Sequence, residues 1–553
     1  MRKRTRSRSR FYLRDALWFS MGITEEDIHK PKIGVVNTSN NLAICFSHLD
    51  EIAKTAQEEL KKNGALPFEI RTYAPSDFIY LGHEGGYVTG GRDLISYDIE
   101  AAVEGAGLDG LICLASCDKT LPGQLIAAAR TNVPTIVVAC GYQPAGEYKG
   151  KRFDIEDLFI ESGAFSTGRI SEEEIAAMAK CAIKGPGVCQ GIGTANTMHV
   201  AGEALGMCLP GSTPVLANSP KMWDTVKAAC RRIVEMVEED LCPRDILTKE
   251  AFENAAKVVL SMCGSTNSVK HLQAIAHAAE RDDLDIFGMY EKFSDEVPIL
   301  VGIKPNGPHS IDDFEAAGGA AGLMKQLAPK LNLDAKTVTG RTVGEELADV
   351  KKVDEEIIRP LDNAINYRPA IIIARGNVAP DTAMIKLMTD DESKENYFRG
   401  PAKVYPNEQV AFEDLNSGRL KKGDVVVLPG RGITGTPGMG GVGLITFALE
   451  GAGMRKDIAI ITDGHTSGLC NAALMAVDIS PEANKGGVIG LIRDGDMVVI
   501  DAVNKRVDVE LTEEEIEKRR RETPFKTDKT EEKGWLKIVQ EMAKPLNKGG
   551  VII

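Results

Sequence analysis

The sequence predicts an α/β protein with an N-terminal, mostly parallel β-sheet covered by helices on both faces and a smaller C-terminal β-rich, barrel-like domain. Two patterns lead to this prediction. Apolar runs alternate with helical patterns through the first two thirds of the chain, and short strands with tight turns fill the remainder. At 553 residues the chain is too long for one ordinary core. We therefore predict two domains, at 1–355 and 366–553.

The N-terminal sheet is predicted from strands and helices that follow one another in turn. Residues 31–39 (PKIGVVNTS) form an apolar β-type run, 47–64 carry a helical pattern, and 68–77 form the next strand. The same strand–helix–strand order recurs later, at 107–116, 122–132 and 135–141. Such alternation is typical of a parallel sheet covered by helices, and ligands bind these sheets at the carboxyl ends of the strands.

The second domain is predicted from a change of pattern around residues 353–369. Before it, a long helical region runs from about residue 171 to residue 279. After it come short apolar runs of strand type, at 402–406, 423–429, 456–464 and 486–511. The turn RDGD at 493–496 is typical of a β-hairpin. These features indicate a compact β-rich domain.

Composition and charge narrow the class of protein. The formal net charge is −14 and the sequence pI is about 5.3, which argues against nucleic acid or anionic membranes as partners. No apolar run is long enough to span a bilayer. The basic start, MRKRTRSRSR, lacks the apolar core of a secretory signal, so we expect a cytoplasmic protein whose N-terminal arm contacts a partner subunit.

Three of the eleven cysteines lie in glycine- or asparagine-rich contexts without a CxxC partner. They are Cys45 (NNLAICFSHL), Cys117 (ASCDKTLPG) and Cys189 (GPGVCQGIG). An odd, irregularly spaced set is not a disulfide framework, and most of the others fit a buried core. Three distant thiolates can hold an iron–sulfur cluster in which one iron lacks a protein thiolate, and that iron can act as a Lewis acid. The alternative is that they are buried thiols in tight turns.

Carboxylates near two predicted strand ends are candidate ligands of a hard cation such as Mg²⁺. Asp118 follows Cys117 directly, and Asp77 and Glu84 follow another strand. Lys119 could serve as a ligand only if modified, for example by carbamylation. The alternative is that Asp118 caps a helix and that the other two carboxylates are solvated or capping.

Ser467 is a candidate for proton-transfer chemistry. It follows an apolar strand in the glycine-flanked turn ITDGHTSG, before a predicted helix, although a helix N-cap is the commoner role of such a serine. A second motif, Gly430, Gly432 and Gly435, has the spacing of a dinucleotide-binding loop. The residues that follow delay the helix that this fingerprint requires, so dinucleotide binding remains only a distant alternative.

Taken together, these motifs resemble the dihydroxy-acid dehydratase / phosphogluconate dehydratase family over nearly the whole chain. The resemblance also includes GHEGG, TANTMHVAGEALGMCLPGS, CGSTNSVKHLQAIA, IRPLDN, ARGNVAPD, GPAKVYPNEQVAFEDL, GDVVVLPGRG, TPGMGG and ITDGHTSG. It implies a 2Fe–2S cluster, or in some members 4Fe–4S, on Cys45, Cys117 and Cys189. It also implies Mg²⁺ near Asp77, Asp118 and a carbamylated Lys119, with Ser467 as the base.

Two departures from the family pattern concern the metal and the substrate. Members usually carry a glutamate, a further Mg²⁺ ligand, where this chain has Gly441, and Glu84 could replace it. The segment TDGHTSG differs from the commoner TDGRFSG, and ACGYQPAGEYKG differs from the commoner GGPMEAG. The cluster and the fold are expected to survive these changes.

The resemblance implies a hydro-lyase that converts a 2,3-dihydroxy carboxylic acid to a 2-keto acid, with dihydroxyisovalerate of branched-chain amino-acid biosynthesis as the default substrate. A sugar-acid (aldonate) dehydratase is the enzymatic alternative. A cluster-binding homologue without lyase activity is the other, motivated by Gly441. A homodimer or a dimer of dimers is expected.

Overall fold

A computed structural model describes residues 8–80, 82–387, 396–468, 473–527 and 532–552. The N-terminal half begins with alternating strands and helices: α1 (Arg8–Ser20), β1 (Lys32–Asn37), α2 (Leu49–Lys62), β2 (Leu66–Arg71), α3 (Gly86–Thr89), α4 (Gly91–Ala106), β3 (Gly110–Ala115), α5 (Thr120–Thr131), β4 (Thr135–Ala139), β5 (Gly146–Tyr148), β6 (Lys151–Phe153), α6 (Ile155–Ser166), α7 (Glu172–Ala179) and α8 (Thr194–Ala204). A series of helices then completes this half: α9 (Pro220–Glu239), α10 (Pro243–Ile246), α11 (Lys249–Ser261), α12 (Asn267–Ala278), α13 (Ile286–Phe293), α14 (Ile311–Ala317), α15 (Gly319–Leu327) and α16 (Val343–Ala348).

The C-terminal half contains β7 (Ile371–Ala374), β8 (Thr382–Lys386), β9 (Tyr397–Val404), α17 (Glu408–Asn416), β10 (Val425–Leu428), α18 (Gly443–Gly451), β11 (Ala459–Thr462), β12 (Met475–Ser480), β13 (Met497–Asp501), β14 (Arg506–Val509), α19 (Glu513–Glu522) and α20 (Gly534–Met542). Between α16 and β7 the chain forms only one short 3₁₀ turn, Leu361–Asn363. This irregular segment separates the two halves.

The N-terminal half is organised around a parallel four-stranded sheet in the order β2–β1–β3–β4. Strands β1 and β3 are buried along their whole length, which explains why their sequences are continuous apolar runs. They pair directly, with Val36 opposite Cys113. The carboxyl ends of β1 and β3 therefore lie side by side at one edge of the sheet.

Helices cover both faces of this sheet, as predicted. α2 packs against α9 and against β1 and β2, whereas α5 packs against α4, β3 and β4. Right-handed crossover connections put α2 on the face opposite α4 and α5, because the strand order reverses direction after β2. The long helical region predicted between residues 171 and 279 contains α7 to α12.

The C-terminal half is an eight-stranded sheet in the order β14–β13–β9–β10–β11–β12–β8–β7. The central strands β9 to β12 run parallel, and the outer ones pair antiparallel. A bridge between Arg375 and Arg506 joins the two edges: Arg375 N–H donates to Lys505 O at 2.9 Å, and Val507 N–H donates to Arg375 O at 2.8 Å. The sheet is thus nearly closed, and the prediction of a barrel-like second part is confirmed.

The two halves meet closely around α6 and α12. Helix α6 packs against α18 so tightly that a Cβ atom at Gly163 would lie 2.0 Å from Phe447 O. Behind them, Lys270 of α12 forms a buried ion pair with Asp478 of β12, with 2.6 Å between Nζ and Oδ2. These contacts fix turns of the barrel beside the strand ends of the N-terminal sheet.

No helix in the described ranges combines the length and the apolar character needed to cross a membrane.

Candidate active site

The three predicted cysteines reach a single cavity from three different turns. Cys45 lies in the 3₁₀ turn Ile44–Phe46 after β1, Cys117 lies between β3 and α5, and Cys189 lies in the loop before α8. All three line a cavity of about 60 Å³. Its other lining residues are Ser76, Asp77, Phe78, Asp118, Gly191, Gly193, Thr194, Ala195 and Ser467. Three thiols, two carboxylates and three hydroxyl groups from both halves of the chain therefore meet around one cavity.

Two of the thiols interact directly. A hydrogen bond with Cys117 is the main cause that lowers the pKa of Cys45, and the same bond, followed by burial, raises the pKa of Cys117. Burial and, next, the Glu156 carboxyl raise the pKa of Cys189. The three sulfur atoms therefore share one buried, electrostatically connected region, in which an iron centre would favour their thiolate forms.

Local hydrogen bonds fix the turn that carries Cys117. The Thr120 hydroxyl donates to Cys117 O at 2.9 Å and accepts from Ser116 N–H at 2.8 Å. The Ser116 hydroxyl donates to Cys45 O at 2.6 Å, which ties the two cysteine turns together. The His199 ring also contacts Ser116 O, at 3.0 Å. These hydrogen bonds join the turns that follow β1 and β3, so Cys45 and Cys117 are held rigidly next to each other.

The loop that carries Cys189 is held by side chains from two helices. Asn196 of α8 donates to Cys189 O at 2.8 Å and to Gly191 O at 2.9 Å. Glu156 of α6 accepts a short hydrogen bond from Gly191 N–H. Because the Asn196 and Glu156 side chains are themselves buried, the Cys189 backbone has little freedom to move away from the cavity.

Asp77, Asp118 and Lys119 form a charged cluster next to the thiols. Lys119 Nζ lies 3.6 Å from Asp77 Oδ2 and 3.4 Å from Asp118 Oδ2, and its side chain is 1% exposed. Burial, followed by the charge of Asp118, raises the pKa of Asp77 to about 7. Burial by itself lowers the pKa of Lys119, but the two carboxylates outweigh it and raise that pKa. Asp77 Oδ1 is buried without a partner.

Glu84 lies outside the lining of this cavity. It forms a short ion pair with Arg431, in a turn where both His83 and Glu84 have positive φ, at +52° and +55°. Such values are uncommon for residues other than glycine and are typical of constrained functional turns. The role of Glu84 as a metal ligand stays a prediction.

Ser467 comes to the cavity from the barrel half. It follows β11 and lines the same cavity as the three cysteines. The next residue, Gly468, packs against the Cys189 loop: a Cβ atom there would lie 2.4 Å from Ile192 O. Only glycine permits this approach, so the turn TSG is adapted to bring a hydroxyl next to the thiols.

The helix predicted directly after Ser467 falls largely on residues 469–472, which lie outside the described residues, so it stays a prediction. The next described element is β12 (Met475–Ser480), which is fully buried and pairs with β11 and β8.

Two buried carboxylates that sequence analysis did not single out hold the glycine-rich loop at residues 430–435. Asp463 accepts hydrogen bonds from Gly430 N–H at 3.1 Å and from Arg431 N–H at 2.7 Å. Glu482 accepts from Thr434 N–H and from Gly435 N–H, each at 3.1 Å. The backbone donors that would cradle a dinucleotide phosphate are thus already occupied by protein carboxylates.

The two family departures in this region face each other. Gly441 and His465 form an isolated backbone bridge, and a Cβ atom at Gly441 would have His465 Nε2 as its nearest neighbour, at 3.7 Å. His465 Nδ1 is buried without a partner, and burial, then Lys270 and Lys119, keep the pKa of this imidazole well below its usual value. Position 441 therefore has room for a side chain, and the adjacent ring is neutral.

The donor set fits both implied groups in its chemistry. Within the described ranges, no three His, Cys, Asp or Glu side chains are arranged around one point as ligands of a single ion. A cluster with two or more irons does not require its three thiolates to converge on one atom. The sulfur donors suit iron, the carboxylates suit Mg²⁺, and the unpartnered Asp77 oxygen leaves one lone-pair site open.

Comparison with known proteins covers almost the whole chain. The model for the N-terminal domain of dihydroxy-acid/6-phosphogluconate dehydratases matches residues 30–346, and that for the C-terminal domain matches residues 356–550. Relatives named dihydroxy-acid dehydratase from Caldicellulosiruptor bescii and Acetivibrio thermocellus are each 39% identical, and one from Pyrococcus furiosus is 38% identical, each over 97% of both chains. The chain therefore belongs to the dihydroxy-acid/6-phosphogluconate dehydratase family, a family of hydro-lyases.

Proposed function

We propose that this chain is an iron–sulfur, Mg²⁺-assisted dehydratase that converts a 2,3-dihydroxy carboxylic acid to a 2-keto acid. One observation carries the proposal: Cys45, Cys117 and Cys189 line a single cavity together with Asp77, Asp118 and Ser467. Relatives of closely similar length named dihydroxy-acid dehydratase support dihydroxyisovalerate, and hence branched-chain amino-acid biosynthesis, as the default.

The three cysteines would hold the cluster, with 2Fe–2S favoured over 4Fe–4S. When bound, it supplies a Lewis acid that makes the 3-hydroxyl of the substrate a better leaving group. The protein contributes fixed thiol positions. The hydrogen bond from Ser116 to Cys45 O and those from Asn196 to Cys189 O and Gly191 O hold the cysteine backbones in place.

Asp77, Asp118 and a carbamylated Lys119 would hold Mg²⁺, with Glu84 as a further donor from its turn. Carbamylation would replace the Lys119 ammonium by an anionic carbamate and leave three negative groups within a few ångströms of one another. A divalent cation balances that charge, and the bound ion would orient the substrate carboxylate and 2-hydroxyl. The unpartnered Asp77 Oδ1 is available for this role.

Ser467 would act as the base that removes the proton from C2 of the substrate. Its turn enters the cavity from the barrel half, opposite the sheet that carries Cys45 and Cys117. Proton removal at C2 and departure of the 3-hydroxyl give an enol, which tautomerises to the 2-keto acid.

Substrate class is the point on which the alternatives differ. The NT-x-x-N-x-x-x-C context of Cys45, which occurs on both sides of the family, motivates an aldonate dehydratase, and Gly441 in place of a carboxylate motivates a cluster-binding homologue without activity. An assay of anaerobically reconstituted protein with dihydroxyisovalerate and a panel of aldonates, with detection of 2-keto acids, separates these cases. Lack of turnover of any 2,3-dihydroxy acid by protein with a full cluster supports the inactive homologue.

Cys117→Ser tests the cluster assignment directly. Iron and sulfide per chain, and the brown absorbance, are expected to fall to background after anaerobic reconstitution, with loss of turnover. Cys140→Ser is the matched control, since Cys140 is buried, lies outside the cavity lining and donates a hydrogen bond from its sulfur to Val138 O at 3.5 Å, a bond that serine can also make. Retention of iron and sulfide by Cys117→Ser contradicts the assignment.

We further propose the domain boundaries, the cellular location and the oligomeric state of the protein. The boundaries 1–355 and 366–553 are supported by the irregular segment between α16 and β7. No disulfide joins cysteines of the described ranges, which supports a reducing, cytoplasmic location. Exposed Leu13 and Leu17 on α1, at 70% and 68%, support a homodimer or a dimer of dimers, to be tested by sedimentation at micromolar concentration.

A further inference from the structure

An aromatic side chain, Phe78, lies at the edge of the proposed active site. It directly follows Asp77 in a turn after β2, which a hydrogen bond from Ile79 N–H to Ser76 O closes at 3.0 Å. Phe78 lines the same cavity as the three cysteines, yet the residue is 47% exposed. A large apolar side chain that reaches both the cavity and the solvent lies at the mouth of that cavity.

A column of aromatic rings holds Phe78 in place. Its ring stacks on that of Phe159 in α6, with 4.5 Å between the ring centroids and 25° between the planes. Phe159 stacks in turn on Phe447 of α18, at 5.6 Å and 27°. Phe159 is buried, so the column is anchored in the contact between the two halves. Because Phe159 covers one face of the Phe78 ring, the accessible surface of that ring is its other face and its edge.

Among the described residues that line this cavity, Phe78 is the one large apolar side chain. The others carry thiol, carboxyl or hydroxyl groups, or are glycine and alanine. In the proposed function the polar groups serve the carboxylate, the C2 proton and the two hydroxyls of the substrate, all within its first three carbon atoms. The substrate beyond C3 therefore has the Phe78 ring as the apolar surface available to it.

The lining hydroxyl groups that could otherwise receive a polar substituent are already engaged. Thr194 Oγ1 contacts Ser265 Oγ and accepts a hydrogen bond from Asn267 Nδ2, each at 3.0 Å. The Ser76 side chain forms a hydrogen bond with Cys45. The third lining hydroxyl is the proposed base. A hydroxyl group on C4 of a substrate would thus give up water for the aromatic ring.

We propose that Phe78 is a specificity-determining residue: its ring contacts the substrate beyond C3 and favours alkyl substituents over hydroxyl-bearing ones. This inference rests on the proposed function, since it needs a 2,3-dihydroxy acid in the cavity. A methyl group against the ring leaves water favourably, whereas a hydroxyl group there loses its hydrogen bonds to water without replacement. An apolar pocket separates a methyl group from a hydroxyl group by about 100-fold. Phe78 offers one surface of a half-exposed ring, so we expect about tenfold.

Two substrates that differ by a single hydroxyl group isolate this effect. They are 2,3-dihydroxybutanoate and 2,3,4-trihydroxybutanoate of the same configuration at C2 and C3. The ratio of their kcat/KM values, measured on one anaerobically reconstituted preparation, does not depend on how much of the protein carries a cluster. Calorimetric binding of the two products, 2-ketobutanoate and 4-hydroxy-2-ketobutanoate, gives a second ratio that needs no turnover.

Three variants test the role of the ring. We expect the wild type to prefer 2,3-dihydroxybutanoate, and Phe78→Ala to lower both ratios about tenfold. Phe78→Leu keeps an apolar surface and should retain most of the preference. Phe165→Ala is the matched control and should keep the wild-type ratios, because Phe165 is also on α6, is 40% exposed and lies outside the cavity lining.

The outcomes distinguish this inference from the proposed function. Unchanged ratios in Phe78→Ala overturn the inference, even where the absolute rates fall, because a structural role affects both substrates equally. A wild type that prefers the trihydroxy acid also overturns it and leaves the dehydratase function intact. A wild type with a full cluster that turns over neither acid, nor dihydroxyisovalerate, overturns the proposed function and, with it, this inference.

Discussion

The buried ion pair between Lys270 and Asp478 joins the two halves behind the Ser467 turn, and we predict that Lys270→Met strongly destabilises the protein. Nζ and Oδ2 are 2.6 Å apart, and neither side chain is more than 1% exposed. Burial lowers the pKa of Lys270 and raises that of Asp478, and each partner opposes the shift in the other. Asp478 N–H also donates to Gly464 O at 2.8 Å, so the pair supports the turn that carries Ser467.

The expected size of the effect follows from the charge that is left behind. Removing the ammonium leaves the Asp478 carboxyl buried alone, and breaking a buried pair in this way costs about 3–5 kcal/mol. At about 2–4 °C per kcal/mol for a unit of 150–250 residues, the unfolding midpoint falls by roughly 6–20 °C. Combining Lys270→Met with Asp478→Asn restores most of the loss, because no charge then stays buried. Asparagine also suits position 478, where φ is +53°.

Thermal unfolding of the cluster-free protein, followed by circular dichroism at one scan rate, measures these differences. Lys422→Met is the matched control: Lys422 pairs with Asp457 at 2.8 Å but is 74% exposed, and such a surface pair contributes about 0–1 kcal/mol. Equal midpoint shifts for Lys270→Met and Lys422→Met would contradict a stabilising role of the buried ion pair. A double variant less stable than Lys270→Met would contradict the cost assigned to the unpaired carboxylate.

Two further predictions concern the barrel side of the site. Ser467→Ala is expected to retain iron, sulfide and the unfolding midpoint but to lose turnover, as measured by 2-keto acid formation; a near-normal rate removes Ser467 from the mechanism. The neighbouring glycines should respond differently to alanine. Gly440→Ala puts a Cβ atom 2.4 Å from Arg431 Nη2 and should cost about 1–3 kcal/mol. Gly441→Ala meets His465 at ordinary contact distances, Nε2 at 3.7 Å and O at 4.0 Å, and should leave the midpoint unchanged. Equal midpoints for the two alanine variants contradict this account.

The closeness of Cys45 and Cys117 could be predicted from the sequence because it depends on patterns in the residues directly before each cysteine. Cys45 and Cys117 each follow an apolar run that is recognisable as a buried parallel strand, and the carboxyl ends of neighbouring parallel strands meet at one edge. The barrel-like second part was also predictable, from its short strands and turns. Closure through Arg375 and Arg506 was not, because a single bridge between chain-distant residues leaves no periodic pattern.

The helix predicted after Ser467 falls largely on residues 469–472, outside the described ranges, and stays a prediction. The next described element, β12, is a buried strand that pairs with β11 and β8. That pairing joins residues far apart in the chain, and the local sequence pattern carries no information about it.

The glycine-rich loop shows why spacing alone does not identify a site. Gly430, Gly432 and Gly435 have the spacing of a phosphate-binding turn. In the folded chain their backbone donors face Asp463 and Glu482, which come from two later segments. Because an anion-binding turn and a carboxylate-anchored turn require the same backbone, only the tertiary partners distinguish them.

The approach of Gly468 to Ile192 couples the proposed base to the proposed cluster site. A Cβ atom at residue 468 would lie 2.4 Å from Ile192 O and 3.1 Å from Gly193 Cα, so the Ser467 turn and the Cys189 loop touch through bare backbone. Each loop is also held from behind, by Asp478 and by Glu156 respectively. A shift in either loop must therefore move the other. The distance between the Ser467 hydroxyl and the Cys189 sulfur is thus set by the contact between the two halves.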